Sequence, residues 1–130
     1  MGDYLMSLIK ANNITNVTGG IPTVKSQQLI PTAWVNFNGQ NTVAIRDSEN
    51  VSSITDSGTG YYTVNFETVM ANANYSGVAN FHRTVTWNDG GIEVRGDSNR
   101  TTSYVRVRTM ENNVAVDEHT IDVIILGGQA

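Results

Sequence analysis

The chain has 130 residues, a formal net charge of −4 and no cysteine. Disulfide and thiolate chemistry are therefore closed to it, and a metal site would need His or carboxylate ligands. The acidic balance argues against a nucleic-acid partner, which wants a basic footprint. One domain suits the length and could bury about two thirds of its unfolded surface. No run of about 18 apolar residues exists to span a membrane.

Residues 1–30 differ in character from the rest of the chain. Leu5, Met6, Leu8 and Ile9 could form a helical turn or two, but Asn12 and Asn13 interrupt at once. Ile14, Val17, Gly19-Gly20, Ile21-Pro22 and Ile30-Pro31 read as extended and turn-rich. An isolated arm with so many aliphatic residues would expose apolar surface, so residues 1–30 are expected to attach to a partner or to sister subunits. Leu8, Ile9 and Ile14 are its candidate interface residues. The short apolar piece lacks a basic flank and makes a poor signal peptide. A second methionine, Met6, leaves open whether Met1 to Leu5 is native.

Residues 31–130 read as one β domain. Asn, Thr and Val are the commonest residues, and lysine is scarce. Thr and Val favour pleated strands, and Asn favours turns. Trp34-Val35-Asn36-Phe37 is a strand, and Asn38-Gly39 after it is a strong hairpin signal. Val43 and Ile45 alternate with Thr42, Ala44 and Arg46 in the returning strand. Between Val51 and Ile54 the apolar spacing is off by one, which predicts a bulge or a twist. The turn cluster Asp56 to Gly60 precedes a strand in which Tyr62, Val64 and Phe66 form the apolar face.

Val78 and Phe81 mark a fifth strand. Phe81, Arg83, Val85 and Trp87 then share a face, and Asn88 to Gly91 predicts a hairpin with Ile92 to Arg95 returning. Gly96 to Thr102 is a polar loop. From Tyr104 to Met110, Val105 and Val107 point one way and Tyr104, Arg106 and Arg108 the other. Glu111-Asn112-Asn113 turns the chain, with Val114 and Val116 beyond. Thr120 to Leu126 begins by alternating and ends apolar on both faces, the pattern of a strand buried on both sides. Ile124 and Leu126 are therefore candidate subunit-interface residues. About nine or ten short strands predict an antiparallel, jelly-roll-like β-sandwich behind an extended N-terminal arm.

Chemistry-bearing residues are few. Neither His82 nor His119 has a serine in a nucleophile elbow, and both read as exposed strand positions. Asp117 and Glu118 are adjacent, so in a strand they point to opposite faces and cannot act as a glycosidase pair. The carboxylates at Asp47-Ser48-Glu49 and Asp97 lack the six to eight oxygens that calcium takes and read as turn caps. No catalytic residue, cofactor or metal is expected. Arg95, Arg100, Arg106 and Arg108 cluster near one loop, with Tyr104 and Trp87 in the neighbourhood. Guanidinium forks suit carboxylate and phosphate, and aromatic faces suit sugar rings. Trp87, Arg95, Arg100, Tyr104 and Arg106 are thus the candidate ligand-contact residues. The competing reading is ion pairing within the sheet and between subunits.

Four motifs, AWVNFNG, IRDSENVSSITD, GTGYYTVNF and NANY, run at characteristic spacings from Ala33 to Tyr75. Together they resemble a domain that recurs near the C-termini of bacteriophage virion proteins, mostly tail fibres and related appendages. The closing segment DEHTIDVIILG, Asp117 to Gly127, is similar to that family's last strand. About half of the chain carries the resemblance, and residues 81–103 depart from it. The resemblance implies a non-enzymatic homotrimer of the virion, assembled in the bacterial cytoplasm and attached to other virion proteins through its N-terminal arm. It implies a tail-fibre or knob-type appendage, for which the arginine and aromatic cluster would be the contact with a host-surface glycan. Alternatives are a capsid-decoration, cement or head-fibre protein without a receptor, and a stand-alone carbohydrate-binding module.

Overall fold

The computed structural model describes residues 31–82 and 90–128. The arm, with Leu8, Ile9 and Ile14, and the stretch containing Trp87 lie outside the described residues. The described chain forms strands β1 (Ala33–Asn38), β2 (Ala44–Glu49), β3 (Val51–Asp56), β4 (Tyr61–Phe66) and β5 (Tyr75–His82). Next come β6 (Gly90–Val94), a 3-10 turn (Asp97–Asn99), β7 (Tyr104–Glu111), β8 (Val114–Ala115) and β9 (Thr120–Gly127). No α-helix occurs among the described residues.

The strands make two antiparallel sheets. One is four-stranded in the order β2-β1-β9-β5; the other is five-stranded, β3-β4-β7-β6, with β8 paired to β7. Period-two alternation aims one side of each sheet at the other. Val35, Phe37, Ile121, Val123 and Ile125 from the first sheet meet Tyr62, Val64, Phe66, Val105 and Val107 from the second in one buried cluster. Edge-to-face ring pairs span the gap, Phe37 with Tyr62 at 5.3 Å and Phe66 with Tyr75 at 5.8 Å. That geometry adds about 0.5–1.5 kcal/mol per pair beyond the area buried.

The two sheets are stitched together at Asn50, the single residue between β2 and β3. Asn50 takes a left-handed backbone, φ 53°, which Asn tolerates better than most residues. Its buried amide donates to the carbonyls of Thr32 (3.1 Å) and Thr68 (3.2 Å) and accepts from the Thr68 N–H at 2.7 Å. Both flanking strands are bulged. Arg46 is the extra residue in β2, where the partner of β1 jumps from Asp47 to Ile45, and Ser52 is the extra residue in β3. The off-by-one spacing at Val51 to Ile54 is this second bulge.

One hairpin expectation changes. The Asn38-Gly39 pair does not form a two-residue turn, because the loop runs to Val43 and the left-handed residue in it is Asn41, φ 56°. Gly39 is instead a close-approach residue. A Cβ there would lie 2.6 Å from the Tyr62 hydroxyl and 2.8 Å from the Glu118 carbonyl oxygen. The partner strand and most of the turn of the hairpin expected at Ile92 fall in residues 83–89, outside the described residues. β6 pairs with β7, and β5 pairs with β9 in the other sheet. By contrast, Asn112 and Asn113, both at positive φ, make the tight turn between β7 and β8.

Candidate functional site

The outward side of the five-stranded sheet collects the arginines. In register, Tyr61 faces Arg108, Thr63 faces Arg106 and Asn65 faces Tyr104, while Glu93 of β6 faces Arg108 from the other side. Arg95 comes directly after β6, its N–H bonded to the Arg106 carbonyl at 2.8 Å. Because Val94 packs inward against Gly77, alternation turns Glu93 and Arg95 outward. Of the five arginines among the described residues, Arg95, Arg106 and Arg108 share this surface.

Those guanidinium groups lie on tyrosine rings. Arg95 and Arg108 lie over Tyr61, at 5.7 and 5.4 Å from the ring centre, and Arg106 lies over Tyr104 at 5.3 Å. Stacking of this kind contributes about 0.5–1 kcal/mol at an exposed site and fixes the plane of the guanidinium. Among the described residues the counter-charge is thin. Glu93 sits 3.7 Å from Arg95 and 4.0 Å from Arg108, long for ion pairs. Between Tyr61, Arg95 and Arg106 lies an open depression of about 210 Å³, floored by Tyr62 and Val107 and bordered by Ser57.

Of the expected contact residues, Arg95, Tyr104 and Arg106 come together here. Arg100 sits apart from them. Its Nη1 donates to the Tyr75 carbonyl at 2.8 Å, and the group lies 5.3 Å from the Tyr75 ring centre. Tyr75 donates in turn to the carbonyls of Thr101 and Tyr104. Burial, partly opposed by the Arg100 charge, pushes the Tyr75 hydroxyl up to about 12. Arg100 thus staples the polar loop to the start of β5. Tyr61, Ser57 and Arg108 complete the surface and were not among the expected contact residues. The alternation that placed Tyr61 opposite Tyr62 was visible in the sequence, but the register bringing it beside Arg108 was not.

The outward side of the four-stranded sheet is different. The register puts Trp34, Ile124 and Val78 in one cross-strand row, with Leu126 one step along β9. Val78 is 62% and Ile124 43% exposed. Beside this row, Asn36, Asp122 and Asn80 form a polar one, and His82 pairs with Asp122 at 3.2 Å. β9 is therefore buried on its inward side and bears an uncovered apolar strip on the other.

Several titratable groups elsewhere have structural partners. Asp117 accepts from the Gly60 N–H (2.6 Å) and the Tyr62 hydroxyl (2.9 Å), and the Tyr62 hydroxyl also bonds the Gly39 carbonyl. Burial, and then the Asp117 hydrogen bond, raise the Tyr62 hydroxyl well above its usual range. His119 sits beside the Arg46 guanidinium at 3.3 Å and the Thr120 hydroxyl at 3.1 Å. Among the described residues, no cluster of three or more His, Asp or Glu could hold a metal ion. Among them, too, no helix is long and apolar enough to cross a membrane.

Fold and surfaces together define a small two-sheet antiparallel β domain with one cationic face and one apolar face. Compared with protein-family models, curated proteins and solved structures, the chain matches none.

Proposed function

We infer that this chain is a structural protein of a bacteriophage particle, a trimeric tail-fibre or knob-type appendage that contacts the host surface. The motif resemblance between Ala33 and Tyr75 supplies the class. The observation that carries the assembly is the apolar row Trp34, Ile124 and Val78, in which Ile124 and Val78 are exposed among the described residues. Contiguous uncovered apolar surface of this kind marks an interaction site. In this reading sister copies cover the row with Leu126, the arm attaches to other virion proteins, and the cationic sheet faces outward. Three copies presenting one weak site each would gain avidity without a strong single contact. The work of the domain is display and attachment, with no reaction step.

Sedimentation of the full chain tests the assembly. A mass of three chains is expected, falling to one in Ile124→Asp while the β-sheet circular dichroism is kept. A wild-type chain that sediments as a monomer at micromolar concentration would refute it. Imaging of particles labelled on this protein places it on the tail or, for the decoration alternative, on the capsid.

A further inference from the structure

We propose that the depression bounded by Tyr61, Arg95, Arg106 and Ser57 binds an acidic saccharide through an oxyanion, a carboxylate or a phosphate, carried on one sugar unit. This deepens the host-contact reading and rests on it. The two guanidinium groups reach the depression from adjacent strands, as the Arg95 N–H to Arg106 carbonyl bond requires. Each is held against a ring, Tyr61 or Tyr104. A stacked guanidinium keeps its N–H edge available while its plane is fixed, so less side-chain freedom is lost when an oxyanion docks.

The polar partners of these cations among the described residues are weak. Among the described residues, the ion pair of Arg95 is with Glu93 at 3.7 Å, and Arg106 donates to the Asn99 side chain at 3.4 Å. A carboxylate or phosphate at ordinary hydrogen-bond distance would outcompete either one. Among the described residues the site is thus a cationic surface without a close counter-anion, on a chain whose net charge is negative.

Three observations narrow the ligand. The volume, about 210 Å³, falls below the roughly 300–1,000 Å³ of pockets that enclose drug-sized ligands; it suits one unit of a chain, with the rest lying across the sheet. Tyr61 already has two guanidinium groups over it, so it offers no open platform on which nucleic-acid bases could stack. One short hydroxyl residue, Ser57, borders the depression, its Oγ 3.3 Å from that of the buried Thr63. A bare anion can accept from such a hydroxyl too, but a sugar acid can satisfy it with a ring hydroxyl while its oxyanion keeps both guanidinium groups.

The test is a heteronuclear NMR titration of the full chain with tri-galacturonate, its neutral methyl ester, glucose 6-phosphate and inorganic phosphate. Saturable shifts are expected at Ser57, Tyr61, Arg95 and Arg106 with one or both acidic sugars, and none with the methyl ester. Which acidic sugar binds identifies the oxyanion. Affinity should fall about tenfold in Arg95→Gln and in Arg106→Gln, fall with added salt, and stay unchanged in Arg46→Gln on the other sheet. Silence with both acidic sugars, equal response to the methyl ester, equal binding of inorganic phosphate, or undiminished binding in both face variants would overturn the assignment. Sedimentation of the same samples separates the two readings. An intact trimer that binds nothing removes only this site, whereas a monomer that binds removes the trimeric appendage and leaves the site standing.

Discussion

Replacing Asn50 with alanine should be among the most damaging single changes in the domain. The side chain is 7% exposed and makes three hydrogen bonds to backbone groups, two as donor and one as acceptor. Thr32 is buried, so its carbonyl would be left unsatisfied at a cost of about 1–3 kcal/mol. Thr68 is exposed, so water can replace its two lost bonds and each costs only about 0.5–1 kcal/mol. Alanine must also hold the left-handed backbone, which costs roughly 1 kcal/mol. The sum is about 3–6 kcal/mol, or on the order of 10–25 °C in melting temperature for a domain of this size. Urea denaturation monitored by circular dichroism would measure it. Asn50→Gly loses the same hydrogen bonds but accepts positive φ without strain, so it should be less damaging than alanine by about 1 kcal/mol. A loss under about 1 kcal/mol for alanine, or glycine proving the worse of the two, would refute this account of how the sheets are joined.

Groups elsewhere in the core have their own expected outcomes. In Gly39→Ala, the new Cβ meets the Tyr62 hydroxyl and the Glu118 backbone; destabilisation of about 1–3 kcal/mol is expected by thermal melting, the usual cost of overpacking. Stability should also fall at high pH. Tyr75 has its hydroxyl raised from 10.0 to about 12 by burial, and Tyr62 shifts in the same direction. The unfolded chain releases these protons near pH 10 while the folded chain holds them. Their stabilising contribution is therefore complete below that pH and is lost as pH rises through about 12. Denaturant midpoints measured from pH 8 to 12 should drop over that window, and the drop should shrink in Tyr75→Phe.

Much of the strand content was legible because period-two alternation is a local signal. Tyr62, Val64 and Phe66, or Val105 and Val107, declare their inward side without reference to any partner. The bulge at Ser52 was legible for the same reason, as a break in that period. Pairing was not, since it depends on contacts far apart in sequence. Nothing near Ile92 indicates that it joins β7. Gly39 invited a turn reading because Asn-Gly usually makes one, yet its lack of a side chain serves the approach of Tyr62 and Glu118. At the cationic face, clustering in sequence suggested Arg100 as readily as Arg95. Only the three-dimensional placement shows Arg100 bound to Tyr75 and Tyr61 standing in the array.

The position of β9 has a consequence for how the molecule is made. It lies between β1 and β5, yet a ribosome delivers it after every other described strand. Until Thr120 to Gly127 leaves the exit tunnel, the inward residues of β1, Val35 and Phe37, have no neighbour on that side. Completion of the fold must wait for translation to pass this strand, and joining the first and last strands is slow because the intervening loop must first be closed. A nascent chain stalled before Thr120 would be a holding state, sticky and dependent on chaperones, that becomes a finished subunit only when the final segment threads into the middle of its sheet.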